Sequence, residues 1–264
     1  MKALPFENRP DPAFFYASRI HEEGLARLVY AIRQGKGAAM VVGAIGCGKT
    51  MLAKALPAQL PARQYRIVQM SNPALDPLDF LQMVLMLFDV PIKSNPTKAQ
   101  MLDALESHLR REQEKGIHAV LVVDEAQTIK NPDTMDELRM LLNLQSSTHF
   151  LLNLVLLGQE ELEASLALCP YLARQLSICF RPGPLSAMDT YKYIQYRIKV
   201  AGAKTFPFTP EAVKRIYRYS RGVPRNINNL GDRSLLAAYI RKQKVVDSST
   251  IDDAWRDLQE SVSG

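Results

Sequence analysis

The chain has 264 residues, of which 47% are hydrophobic, with 13 Gly and 16 Pro; this is ordinary globular composition and excludes a collagen-like, low-complexity or disordered chain. No run approaches the roughly eighteen apolar residues of a membrane-spanning helix, and the first ten residues lack the apolar stretch of a secretory signal. The three cysteines form no CxxC pair and are odd in number, which argues against a disulfide scaffold and for a cytoplasmic location. The net charge is +6; from Ala187 to the end there are fourteen Lys+Arg against eight Asp+Glu, so the whole excess falls in the last third.

Taken in order, Ile20, Leu25, Leu28, Val29 and Ile32 recur at helical spacing and predict a helix over 19–34, stopped by Gly35 and Gly37. Residues 38–42 are a short apolar run that reads as a buried strand. A glycine-rich turn follows, then a short helix over 49–56 ended by Pro57. A second strand is expected at 65–70, and helices at 76–89 and 97–115 with a connecting loop at 91–96. On the 76–89 helix, Phe80, Met83, Val84 and Leu87 form a core-facing stripe. Residues 119–123 are continuously apolar and β-branched, as a central parallel strand covered on both faces must be. A helix over 133–144 has Asn131 placed to cap it and Pro132 at its first position. Strands at 151–157 and 177–180 complete the alternating pattern. Strands alternating with helices imply a parallel sheet with helices on both sides. After Pro182-Gly183-Pro184 the character changes to four helical segments, at 187–201, 209–219, 224–242 and 248–261, with no strand. The expected division is an α/β core over 1–185, with an N-terminal segment 1–36, and an all-helical domain over 186–264.

The octet Gly43-Ala44-Ile45-Gly46-Cys47-Gly48-Lys49-Thr50 matches G-x-x-x-x-G-K-[ST] and sits between a predicted strand and a predicted helix. Glycines let the backbone wrap a phosphate chain with successive N–H groups aimed at its oxygens, and the helix that follows turns its positive end to the same anion. Lys49 reaches the β- and γ-phosphates, and the Thr50 hydroxyl suits Mg²⁺. Cys47 occupies a position where only backbone is required; a tolerated small side chain is the plainer reading, a redox switch the other. At the carboxyl end of the 119–123 strand, Asp124 can hold Mg²⁺, while Glu125 points elsewhere and can orient or deprotonate the attacking water. Gln159, ending the 151–157 strand, can hydrogen-bond the γ-phosphate or that water. Pro224 and Arg225 open a helix in the basic third, from which a guanidinium can swing toward nucleotide. Together these residues call for ATP and Mg²⁺. The four histidines, His21, His108, His118 and His149, lack metal-ligand spacing and are assigned no catalysis, and Trp255 is read as packing.

The ordered set of motifs resembles the AAA+ ATPase module of the general secretion pathway protein A (ExeA-like) family, related to the TnsC-type transposition ATPases. The likeness runs over nearly the whole chain. It is carried by Pro5-Phe6, Asp11-Pro12, Phe15-Tyr16 and His21, by the phosphate loop, by Asp124-Glu125-Ala126-Gln127 and Leu157-Gly158-Gln159, and by the stretches 184–186, 201–203, 220–230 and 232–239. It implies a P-loop NTPase fold with sheet order 5-1-4-3-2 and a helical lid. Lys49 and Thr50 match Walker A, Asp124 and Glu125 Walker B, Gln159 sensor 1 and Arg225 sensor 2. Phe15 and Tyr16 border the adenine, and Met51 joins the nucleotide-binding set. The resemblance also implies rings or filaments in which a neighbour's arginine completes the site. Here the family's finger position is held by Gln175, with Arg174 one residue earlier and Arg181 a second candidate.

Three functions follow as expectations: an ATPase that drives or gates assembly of a cell-envelope or secretion complex; a DNA-associated regulator of transposition or initiator type, favoured by the basic lid; and a nucleotide-gated scaffold with little turnover. Self-association with ATP, envelope-system protein partners and nucleic acid are the expected contacts.

Overall fold

The protein is described here from a computed structural model covering residues 3–91, 94–146 and 149–263. Five strands, β1 (Ala38–Val42), β2 (Tyr65–Met70), β3 (His118–Val123), β4 (Leu152–Gly158) and β5 (Leu176–Phe180), form one parallel sheet in the order β2-β3-β4-β1-β5. This is the order that the family resemblance implies. The register places Val42 beside Gly158, and Val123 beside Leu156, so β1, β3 and β4 end along one edge.

The continuous apolar runs of β1, β3 and β4 are explained by coverage on both faces. Ala38, Met40, Val42, Leu121, Val123, Leu154 and Leu156 enter one core cluster with Phe80, Leu105 and Leu138. Their alternates Ala39, Val41, Val120, Val122, Val155 and Leu157 point the other way and are equally buried. The helices on the first cluster are α3 (Pro77–Leu87), which packs on β2, α4 (Lys98–Glu114), which packs on β3, and α5 (Pro132–Leu142), which packs on β4. A capping box between Thr97 and Gln100 starts α4, and Asn131 accepts from the Asp133 N–H to start α5, with Pro132 first as expected. The helix α1 (Arg19–Arg33) precedes β1, and α2 (Lys49–Ala55) follows the glycine turn; the chain then passes through Pro57 as a 3-10 turn, Leu56–Ala58. Part of the 91–96 connection, the first two residues and Gly264 lie outside the described residues.

Two short helices have no counterpart among the sequence expectations: α6 (Glu161–Ala167) and α7 (Pro170–Gln175). Only Leu162 and Leu166 on α6 and Leu172 on α7 are buried, too few positions for a periodic pattern to stand out.

The chain after β5 is helical: α8 (Ala187–Val200), α9 (Pro210–Ser220), α10 (Pro224–Ile240) and α11 (Ser248–Ser263). No described residue after Phe180 belongs to a strand. These helices have a core of their own, made by Ile194, Ile198, Ile216, Ile227, Leu230 and Ile251 among others. Trp255 stacks on Tyr219 with centroids 5.0 Å apart, which is packing. The N-terminal segment belongs to the same unit. Phe6 is buried against Phe208, edge to face at 5.9 Å. The buried Arg197 guanidinium donates to Pro5 O, to Glu7 O at 2.9 Å and to the Tyr193 hydroxyl at 2.9 Å. Asn228 joins this network by accepting from Tyr193 Oη at 2.8 Å and donating to Asn8 at 3.0 Å. The chain thus forms two compact units. One gathers Met1–Glu22, Ile45–Met51 and Gly183–Gly264; the other gathers Glu23–Ala44 and Leu52–Pro182.

Candidate functional site

The first group of site residues lies where β3 and β4 end. Asp124 is buried, at 4% exposure. Its Oδ2 accepts from Gln69 Nε2 at 3.2 Å and its Oδ1 from the Glu125 N–H at 3.0 Å. Glu125 adopts a left-handed backbone, with φ 53° and ψ 38°. That conformation costs a non-glycine residue about 1–2 kcal/mol and is found where a side chain must be re-aimed. Here it turns the Glu125 carboxylate away from Asp124 and onto two amides. Oε2 accepts from Gln127 Nε2 at 2.6 Å and from Gln159 Nε2 at 3.4 Å. Gln127 also accepts from the Gln159 N–H at 3.1 Å, tying the strand ends together. The structure therefore brings Asp124, Glu125 and Gln159 into one hydrogen-bonded cluster. The linking residue, Gln127, was quoted in the sequence only as part of the family likeness. It was missed as an organiser because a neutral amide two positions past the acids carries no charge signal.

Beside β4, Gly43 begins the glycine loop as β1 ends, and its N–H donates to Gly158 O at 3.2 Å. Further along, Gly46 and Gly48 have φ of 82° and 91°, the region a phosphate-cradling turn uses and side chains avoid. A Cβ on Gly46 would lie 2.6 Å from the Arg225 Cβ, and the Arg225 N–H donates to Gly46 O at 3.3 Å. Arg225 thus backs the loop through its main chain, with its side chain exposed. Lys49 is 6% exposed, Thr50 half-buried and Ile45 exposed. Cys47 is 2% exposed and its thiol pKa is pushed up by burial, with Lys49 opposing. A buried, protonated thiol is unreactive, which favours the plain reading over the redox switch.

The unit that contains Ile45–Met51 and the C-terminal helices holds an open cleft lined by Phe14, Phe15, Tyr16, His21, Gly48, Met51, Leu185, Tyr193, Arg197 and Pro224. Its aromatic lining suits a flat heterocycle. Of the sequence candidates, Phe15, Tyr16, Gly48, Met51 and Pro224 converge here, and Arg225 does not line it. His21, assigned no part from the sequence, does. It is 5% exposed, and burial holds its pKa below the ordinary imidazole value, against pulls from Cys47 O and Asp189.

The finger candidates differ. Arg174 is exposed on the last turn of α7. Arg181 is held by Glu163 in an ion pair that keeps its guanidinium charged. Among the described residues no cluster of His, Cys, Asp and Glu has metal-site geometry by itself, and no helix is long and apolar enough to cross a membrane.

Comparison with known proteins agrees with this architecture. The profile of the AAA domain family matches residues 32–166, half of the chain. General secretion pathway protein A of Aeromonas hydrophila is 36% identical over 239 residues, covering 90% of this chain and 43% of that protein. The chain thus spans less than half the length of that relative. Among solved structures, the ORC2 protein of Aeropyrum pernix, in ADPNP–ADP complexes, has a TM-score of 0.74 at 16% identity, covering 96% of this chain and 70% of the other. Cdc6p of Pyrobaculum aerophilum gives 0.73 at 18%, covering 92% and 67%. The Holliday junction branch migration motor RuvB of Thermotoga maritima gives 0.64 at 17%, covering 94% and 74%. At such identities these structures speak for the fold alone. The profile match and the 36% relative together show that this chain belongs to the AAA domain family, as an AAA+ module similar to that of general secretion pathway protein A.

Proposed function

We propose that the chain binds ATP with Mg²⁺ and hydrolyses it, and that turnover drives or gates assembly of a cell-envelope or secretion complex. The observation that carries the first part is the left-handed Glu125, whose carboxylate accepts from Gln127 and Gln159 at the sheet edge where β3 and β4 end. Left-handed backbone at a non-glycine residue clusters at functional sites, and here it falls at a strand end among polar side chains. In this reading the backbone N–H groups over 43–51 cradle the phosphates and Lys49 neutralises the β- and γ-oxygens. Phe15, Tyr16 and Pro224 bound the base. Arg225, as sensor 2, reports on the nucleotide from the helical lid, residues 186–264. Thr50 and Asp124 offer hard oxygen donors of the kind Mg²⁺ takes, and Asp124 is buried with its carboxylate held by the Gln69 amide and the Glu125 N–H. When bound, the ion would neutralise charge developing on the phosphates. Glu125 positions and deprotonates the attacking water, and Gln159 holds that water or the γ-phosphate. Arg174, exposed and outside the Arg181–Glu163 pair, reaches a neighbouring subunit's site in a ring or filament.

The secretion role rests on the 36% relative, and a cytoplasmic location is part of the same proposal. A second reading, a DNA-associated regulator, is favoured by the concentration of positive charge after Ala187 and by the likeness in fold to an ORC1 protein solved in complex with DNA. Calorimetry with Mg-ATP tests the nucleotide reading: saturable heat in the wild type, lost in Lys49→Ala, is expected, and no heat in the wild type refutes it. Anisotropy with duplex DNA separates the two roles. Binding that weakens steeply with salt supports the regulator, and none at low salt removes it.

A further inference from the structure

Besides the Cys47 thiol, His21 is a strongly buried titratable side chain at the glycine loop that the proposed reaction does not use. We propose that it is a positioning residue for phosphate binding: it clamps the Cys47–Gly48 peptide so that the Gly48 N–H is presented to the nucleotide. The inference rests on the nucleotide reading and goes beyond it.

His21 Nε2 lies 3.0 Å from Cys47 O, and Nδ1 lies 2.7 Å from Ser18 Oγ. A carbonyl oxygen only accepts, so Nε2 carries the proton and donates to Cys47 O. Nδ1 is then bare and accepts from the Ser18 hydroxyl, while Ser18 Oγ accepts weakly from the His21 N–H at 3.4 Å. Every polar atom of the ring is committed, in one tautomer, and burial keeps the ring neutral. In a trans peptide the C=O and the next N–H point to opposite sides. Fixing Cys47 O against the ring therefore sends the Gly48 N–H away from it. That is the direction an anion nest needs, because a peptide free to flip would present a repelling carbonyl to the phosphates instead.

Two further observations fit a clamp better than filler. A Cβ on Gly48 would lie 2.7 Å from His21 Nε2, so ring and loop are in closest contact at the peptide in question, and there φ is 91°. The ring also lies edge-on to Phe15, with centroids 6.3 Å apart, and Ser18 N donates to Tyr16 O at 2.9 Å. The clamp is thus built on the segment that lines the base cavity, and ordering that segment around a base would order the phosphate loop.

The test is titration of the whole chain with Mg-ATP, and with adenosine as competitor, for wild type, His21→Phe, His21→Gln and Ser18→Ala, with the melting temperature of each ligand-free protein. Phe keeps a ring against Phe15 but donates nothing; Gln carries an N–H at similar reach. Loss of the clamp should weaken ATP about tenfold in His21→Phe, with Gln recovering to within about threefold and Ser18→Ala weakened about threefold. Adenosine, which has no phosphates, should lose much less than ATP in the His21 variants, whose side chain also lines the base cavity, and nothing in Ser18→Ala, which lies outside that lining. An unchanged ATP affinity in His21→Phe, an equal loss of adenosine, or failure of Gln to rescue would each overturn the proposal. Should His21→Phe not fold, Ser18→Ala decides alone, and wild-type ATP affinity there overturns the clamp. A wild type that gives no ATP heat overturns the nucleotide reading itself, whereas heat with insensitive variants overturns only the clamp.

Discussion

Replacing Glu125 separates the cost of its geometry from its use. In Glu125→Gln the backbone stays left-handed, and the side-chain oxygen still accepts from Gln127 and Gln159, now through neutral bonds. A charge-assisted bond is worth roughly 1.5–3 kcal/mol and a neutral one roughly 1, so the variant should lose about 1 kcal/mol of stability. Glu125→Gly releases about 1–2 kcal/mol of backbone strain. It also leaves the buried Gln127 amide short of its acceptor, at about 1–3 kcal/mol, so the two changes nearly cancel. Both variants should bind Mg-ATP, and both should lose turnover by about 10²–10⁴-fold, the range expected when a general base is removed. Phosphate release under saturating ATP and urea denaturation of the ligand-free protein read the two quantities separately. Turnover in Glu125→Gln within a few-fold of wild type would refute the assignment of the base. A glycine variant several kcal/mol less stable than wild type would refute the strain account.

Three other outcomes follow from burial. Phe6→Ala removes a ring that is 2% exposed beside Phe208 and should cost about 3–5 kcal/mol, read by denaturant titration; a loss under 1 kcal/mol would show that the segment is not part of the helical core. Thiol labelling of the native protein should modify exposed Cys179 first and leave Cys47 unmodified until unfolding, so rapid labelling of Cys47 would contradict its burial. His21 titrates below its unfolded value, so the unfolded state binds more protons in the window beneath the ordinary imidazole pKa. Stability linked to it is therefore full above that value and falls as pH drops through the folded value. Denaturation midpoints from pH 7 to 5 should decline less in His21→Gln than in wild type, and parallel declines would exclude the linkage.

Legibility in the sequence followed the length of each signal and its locality. β1, β3 and β4 could be read because strands buried on both faces are nearly all apolar, His118 at the start of β3 and Asn153 in β4 being polar, and the glycine loop because its residue types are dictated at fixed spacing. α6 and α7, of seven and six residues, are shorter than the window in which a helical period can be recognised. Asp124, Glu125 and Gln159 were legible as strand-end polar residues, but the left-handed turn that aims Glu125 is not: no sequence rule places a glutamate at φ 53°. His21 is not legible, because metal-ligand spacing is the local signal a histidine carries, whereas its partner is a main-chain carbonyl twenty-six positions away. Contacts of that kind exist only once the chain has closed on itself.

The residues that organise the acid cluster are neutral, and that bears on how it can work. Among the described residues the hydrogen-bond partners of the Glu125 carboxylate are two amides, Gln127 and Gln159. A lysine or arginine in either place would hold the carboxylate more tightly, but the ion pair would have to be broken before a water could take its place. Neutral amide bonds exchange at lower cost while still restricting direction. The 3.4 Å contact to Gln159 is the longer and so the weaker of the two, and the 2.6 Å contact to Gln127 the closer support. In the proposed reaction that division would let the Gln127 bond set the direction of the carboxylate while release of the Gln159 bond admits the water.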